Sequence, residues 1–249
     1  MMESLASGLT RRLNKLKRGL VFSILALDHG LSSGAVKCLD DVCRWSHFAD
    51  AVGIAAVVAN IGVARALPAN RKHALILQTI GSPRILGHNA SRRVVNTSIE
   101  EAMLLDADGV SVQIDFDSES VEATVAEIAS IRMRAQRIGL PVLFMITTPK
   151  RGFKDPKDIA DAVRVCDELG ADVIKTAYEC QSYEEWTPLS SFGKGMAPLV
   201  LAGGEAGDQF KKVIGKAKVL GFSGYCVGRN IFQSDDPRTA FDQIEKAFA

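Results

Sequence analysis

Lys175 closes the run Asp172-Val-Ile-Lys175, a short apolar segment with an amine at its carboxyl end. Charged side chains are seldom buried without a task. In an apolar interior a lysine is partly desolvated, which favours its neutral form and lets it attack a carbonyl carbon to form a Schiff base. Such a nucleophile needs a carboxylate to move protons and an anchor for the substrate. Asp28, at the end of another apolar run, suits the first need; its plainer readings are a turn or cap residue, or a structural ion pair with Lys175. Gly203-Gly204 and Gly228-Arg229 suit the second. Glycines let backbone N–H groups approach an anion, and arginine adds a bidentate charge. Either glycine site alone is an ordinary turn signal, whereas two at successive run ends point to phosphate. His29 faces away from Asp28 in an extended backbone, which leaves packing, capping and catalysis open. Gln113 is either a satisfied core amide or a partner for substrate hydroxyls.

These residues need a frame that brings distant run ends together. Apolar runs recur at 22–27, 55–59, 74–78, 109–114, 141–146, 172–175, 198–202 and 224–228. Near-continuous hydrophobicity over so few residues is the mark of parallel strands buried on both faces. Helical spacing is seen over 118–138, 155–169 and 209–220, each followed by glycine. The stretch 61–73 is short for a full helix, and 81–95 reads as loop with extended structure. Residues 5–16 read as an additional helix that closes the bottom. The expectation is an α/β protein, a (β/α)8 TIM barrel with an extra N-terminal helix, formed by 1–249 as one domain. A doubly wound open sheet is the alternative, but it wants a glycine-rich turn where this chain has Asp28-His29-Gly30. In a barrel the active site gathers at the carboxyl ends of the strands, and phosphate sits after the seventh and eighth. That rule collects Asp28, His29, Asn60, Gln78, Gln113 and Asp115, and then Thr147, Thr148, Lys175, Tyr178 and the glycine pairs.

The chain has 249 residues and a net charge of +1, which gives no electrostatic footprint for nucleic acid. The basic stretch 11–18 reads as one polar helix face. No apolar run is long enough to span a membrane, and no cleavable signal opens the chain. Five cysteines without CxxC spacing fit a reduced, cytoplasmic setting, with Cys38 and Cys43 flanking a helical stretch. No His, Glu and Cys cluster gathers at the run ends, so neither a metal nor another cofactor is expected. Trp45 and Trp186 read as packing or lid residues.

In chain order, Ala26-Leu-Asp-His-Gly30, Ala107-Asp-Gly-Val-Ser-Val112, Val173-Ile-Lys-Thr176, Ala202-Gly-Gly204 and Gly228-Arg-Asn-Ile-Phe-Gln233 resemble the DhnA/DeoC-like class I aldolases. That family includes archaeal-type fructose-bisphosphate aldolases, 2-amino-3,7-dideoxyheptulosonate synthases and autoinducer-2 phosphate thiolases. The resemblance spans nearly the whole chain. It implies Lys175 as the Schiff-base lysine, Asp28 as a catalytic carboxylate, and phosphate binding by Gly203, Gly204, Gly228 and Arg229. It also implies a phosphorylated substrate and a homo-oligomer. Two positions depart from the pattern. The family's aldolases carry a proton-carrying tyrosine after the fifth strand, where this chain reads Met145-Ile-Thr-Thr-Pro-Lys-Arg-Gly152, with Thr148 in its place. Gln113 replaces a histidine common after the fourth. The reading is a lyase that makes or breaks a C–C bond in a phosphorylated ketose or with dihydroxyacetone phosphate, an amino-acid semialdehyde being one acceptor. A thiolase acting on a phosphorylated diketone is the alternative, and a non-catalytic phosphosugar-binding barrel is the rival from another class.

Overall fold

The computed structural model describes residues 2–85, 88–89, 93–148, 151–179, 186–205 and 207–249. The barrel strands are β1 (Val21–Ala26), β2 (Ala56–Ala59), β3 (Ala74–Gln78), β4 (Gly109–Asp115), β5 (Val142–Thr147), β6 (Val173–Thr176), β7 (Leu199–Ala202) and β8 (Phe222–Val227). Each pairs in parallel with the next, and β8 pairs with β1, so the sheet closes without an edge. The antiparallel addition Lys17–Arg18 lies beside β1.

Alternation along each strand divides the apolar side chains between two cores. Phe22, Ile24, Val58, Ile76, Leu143 and Met145 fill the barrel, while Leu25, Val57, Leu75, Val112 and Phe144 pack outward against helices. Buried on both faces, the strands show no polar alternation, which is why they read as unbroken apolar runs.

The helices in chain order are α1 (Met2–Lys15), α2 (His29–Ser33), α3 (Val42–Val52), α4 (Ile61–Ala66), α5 (Ile99–Leu104), α6 (Val121–Arg137) and α7 (Pro156–Glu168). They continue as α8 (Asp208–Ile214), α9 (Ala217–Leu220), α10 (Arg229–Phe232) and α11 (Pro237–Phe248). The α1 helix brings Leu13 and the following Leu16 against the inner core and closes the bottom. Its basic residues hold it there: Arg12 donates to the Ile138 and Gly139 carbonyls after α6, and Lys15 pairs with Asp108 at 2.6 Å.

Two local expectations are corrected. The stretch 209–220 is not one helix, since α8 ends at a Gly215 cap and α9 starts afresh after Lys216. Cys38 and Cys43 do not flank a helix; α3 begins at Val42, capped by the Asp41 side chain, and Cys43 lies within it. Between β3 and α5 the chain makes an extended excursion, with Ile80–Gly81 pairing Val94–Val95. Among the described residues no helix is long and apolar enough to cross a membrane.

Candidate active site

The carboxyl ends of the strands surround a cavity of about 560 Å³. Lys175 points into it from β6, in register with Met145 on β5 and Val200 on β7. Its Nζ lies 3.9 Å from Met145 Sδ, and among the described residues no carboxylate oxygen stands within ion-pair distance. The structural ion pair with Asp28 is therefore not formed. Burial works against the Lys175 ammonium, a thiolate at Cys226 and the Asp28 carboxylate work for it, and the net direction is upward. That differs from desolvation alone, which favours the neutral amine. Cys226, on β8, is itself buried, and its thiol is pushed up to about 11. At neutral pH it is a thiol rather than a thiolate, so the part of the upward push that needs its charge is absent. What remains is burial, with the Arg229 charge on its side, opposed by Asp28.

Asp28 follows β1 and precedes α2, yet its side chain makes no capping hydrogen bond. The plain reading as a cap is thereby removed, and the carboxylate is left facing the cavity. Asn60 donates to the Asp28 carbonyl at 2.7 Å and fixes the backbone beneath it. Next to it His29 opens α2, its ring edge-on to Phe232 with centroids 5.3 Å apart. Burial lowers the His29 pKa to about 4, so the imidazole is neutral in ordinary buffers.

The glycine loops meet where β7 and β8 end. Asn230 donates to the Gly203 carbonyl at 2.8 Å and ties the two loops together. Gly204 has φ +60°, a left-handed conformation that suits glycine. Gly228 packs so closely that a Cβ would lie 2.5 Å from the Ala26 carbonyl oxygen and on top of His29 Cε1. Arg229 keeps a buried Nε without a partner, and its guanidinium reaches Glu205 at 3.6 Å. The Glu179 carboxylate rests against Gly204. Two carboxylates of the chain thus stand at the basic end of the cavity.

The ends of β4 and β5 form the opposite wall. Gln113 Nε2 donates to Thr147 Oγ1 at 3.4 Å, and the Thr147 hydroxyl donates to Asp115. Arg93, from the excursion after β3, holds both Asp115 oxygens at 2.7 Å. Thr148 lies just beyond the strand and also lines the cavity. Gln78 lines it too, but its amide is committed to the Ile80 carbonyl and the Ser111 hydroxyl. Tyr178 does not join the site. It is buried outside the barrel, stacked on Trp186, with its hydroxyl on the Thr187 carbonyl at 3.0 Å. The cavity therefore gathers Asp28, His29, Gln113, Thr148, Lys175, Gly203, Gly204, Gly228 and Arg229. Arg93, Glu179 and Cys226 join them without having been anticipated. Cys226 was within reach of the pattern, two residues before Gly228 on the same face of a strand.

The family model of DeoC/LacD family aldolases matches residues 22–234. The chain is 30% identical over 235 residues to a 2-amino-3,7-dideoxy-D-threo-hept-6-ulosonate synthase of Halobacterium salinarum, covering 93% of this chain and 88% of that one. It is 28% identical over 228 residues to a 3-hydroxy-5-phosphonooxypentane-2,4-dione thiolase of Klebsiella pneumoniae, covering 90% and 74%. An archaeal fructose-1,6-bisphosphate aldolase, solved with its catalytic lysine covalently bound to the carbinolamine intermediate of the substrate, superposes with a TM-score of 0.80 at 25% identity, covering 97% of this chain and 100% of that one. With a half-buried lysine at the sixth strand end of a closed barrel, the chain belongs to the DeoC/LacD family of aldolases and is a class I, Schiff-base carbon–carbon lyase.

Proposed function

We propose that Lys175 forms an iminium with a phosphorylated ketone such as dihydroxyacetone phosphate, and that the enzyme joins this donor to an aldehyde or cleaves the corresponding adduct. The observation that carries the reading is the position of Lys175, half-buried in a cavity that Asp28, Gly204 and Arg229 also line. In the forward direction the Lys175 ammonium passes a proton to Asp28, the freed amine attacks the ketone carbon, and Asp28 returns the proton to the carbinolamine hydroxyl, which leaves as water. The iminium then withdraws electrons, so a proton can pass from the adjacent carbon to Asp28 while its electron pair stays to form the enamine. The enamine carbon attacks the aldehyde, the resulting alkoxide takes a proton, and water hydrolyses the iminium to free Lys175. Backbone N–H groups around Gly203, Gly204 and Gly228, together with Arg229, anchor the phosphate, whose binding orients the reacting carbon. Thr148 holds water for the proton relay, while Gln113 and His29 shape the remaining walls.

Thr148 standing where a tyrosine would be expected favours one second reading, a thiolase on a phosphorylated diketone that uses the same lysine. Retention of both Lys175 and Asp28 at the cavity speaks against a non-catalytic barrel. Free Cys38, Cys43, Cys166 and Cys226 support a reducing, cytoplasmic setting. Exposed Met103, Leu104 and Met133 on α5 and α6 support a homo-oligomer. Borohydride reduction in the presence of dihydroxyacetone phosphate tests the central step. The peptide containing Lys175 gains the mass of the reduced adduct; an unmodified peptide refutes the Schiff base. A panel of aldehydes offered with the same donor then separates aldol joining from the thiolase reading.

A further inference from the structure

Strands β4 and β5 face the phosphate end from across the barrel, and their wall is built around Arg93. This side chain is only 6% exposed. Its Nε and Nη2 each reach an Asp115 oxygen at 2.7 Å, and Nη2 reaches Thr147 Oγ1 at 3.4 Å. An arginine offers five N–H donors and no acceptor. Asp115 occupies the edge formed by Nε and Nη2, and that edge alone completes the ion pair. The Nη1 group is buried and has no hydrogen-bond partner. A buried charged donor left unmet is unfavourable and calls for a partner. Arg93 lines the substrate cavity, so its unmet Nη1 lies in the wall beside whatever enters there. His29 Nδ1, Asn60 Oδ1 and Arg229 Nε, which also belong to cavity residues, are likewise unmet. Four unmet polar atoms thus belong to residues that line one cavity.

The topology gives Arg93 its partner. The donor's phosphate belongs at the ends of β7 and β8, and the nucleophile stands on β6. Asp115 on β4 holds Arg93 on the far side of Lys175 from that anchor, where the second substrate must approach. Asp115 also cancels much of the long-range charge of Arg93, so what remains is a short-range planar fork, held rigid and with one edge unmet. We propose that Arg93 recognises an anionic group, a carboxylate or a phosphate, on the acceptor aldehyde and so selects charged acceptors over neutral ones. This assignment rests on the aldol reading of Lys175.

The test separates donor loading from acceptor choice. Loading is read by borohydride trapping of dihydroxyacetone phosphate in the wild type, in Arg93→Lys, and in the double variant Arg93→Met with Asp115→Met. The double change removes both partners of the buried pair, which spares the fold an unpaired charge. The rate with the same donor is then measured against succinic semialdehyde, glyceraldehyde 3-phosphate and butyraldehyde. Loading persists in all three proteins. In the double variant the preference for an anionic over a neutral acceptor falls about 10- to 100-fold, the span of one charge-assisted hydrogen bond, and mainly through KM. Whichever of the two anionic aldehydes loses more identifies carboxylate or phosphate. Arg93→Lys, which keeps the charge without the fork, falls part of the way. Equal losses for all three aldehydes, unchanged preference, or lost loading in the variants alone would overturn the assignment of Arg93. Lost loading in the wild type overturns the aldol reading instead.

Discussion

Acidification isolates His29. Its ring covers Gly228, packs edge-on to Phe232 and keeps Nδ1 buried without a hydrogen bond, 3.9 Å from an Asp28 oxygen. Burial is the main cause of its low pKa; Asp28 opposes the fall, and Lys175 and Arg229 add to it, leaving a value of about 4 against the usual 6.5. With the folded-state value below the unfolded one, the unfolded chain takes up its proton first as pH falls. The group therefore costs nothing above pH 6.5, and stability is lost between pH 6.5 and about 4. About 2.5 units at roughly 1.4 kcal/mol each sets the full loss near 3.5 kcal/mol. Most of it has accrued by a pH of about 4.5. Urea unfolding at that pH and near pH 7.5 measures it, comparing the wild type with His29→Gln, which is neutral at both. His73 is also lowered by burial and contributes to the acid limb with the same sign, so the difference between the two proteins is the quantity to read. The variant loses about 2–3 kcal/mol less on acidification. Equal losses, or an imidazole resonance of His29 titrating near 6.5, would refute the argument.

Two further substitutions probe the site. Asp28→Asn removes the proton carrier and leaves the nucleophile, so trapping of the donor remains detectable while turnover falls about 10²–10⁴-fold; turnover within tenfold of wild type rules Asp28 out of the proton step. Gly228→Ala sets a Cβ 2.5 Å from the Ala26 carbonyl oxygen, a backbone atom with nowhere to go. The expected cost is about 1–3 kcal/mol together with weaker binding of inorganic phosphate, read by Tm and by calorimetry. If both stay at wild-type values, the close approach is not real.

The barrel was legible because each strand is buried on both faces and shows itself as an apolar run. Lys175 and Asp28 were legible for a related reason, as charged residues that end such runs. What escaped lies where no period operates. Arg93 comes from the excursion 80–95, whose extended pieces carry no alternation, and its partner Asp115 is on another element. The direction of the Lys175 shift could not be read either, since it depends on Cys226 and Asp28 from strands that only closure of the barrel brings near. Tyr178 shows the converse: three residues beyond Lys175, past the end of the strand, it turns outward into the helix layer. The break between α8 and α9 was marked in advance by Gly215, but the helical spacing on either side masked it.

The missing tyrosine leaves a proton to be accounted for, and the structure narrows the candidates. Tyr225 faces outward, bonded to Ser23 and Glu245, and burial pushes its hydroxyl pKa up. Cys226 holds its proton at neutral pH, so it is no base there. Thr147 already donates to Asp115 and accepts from Gln113 and Arg93, which leaves its hydroxyl nothing to give a substrate without dismantling the wall. The Thr148 hydroxyl is too weak an acid to act alone, though it can position water. Of these groups Asp28 remains; its carboxylate does not cap α2 and stands 3.9 Å from Nδ1 of the neutral His29 ring. A single carboxylate can take the proton from the donor carbon and return it to the alkoxide only if water carries it between the two positions. On the proposed mechanism the proton chemistry therefore falls to Asp28 with a water, and the wall around Gln113, Thr147 and Arg93 is the side assigned to the acceptor.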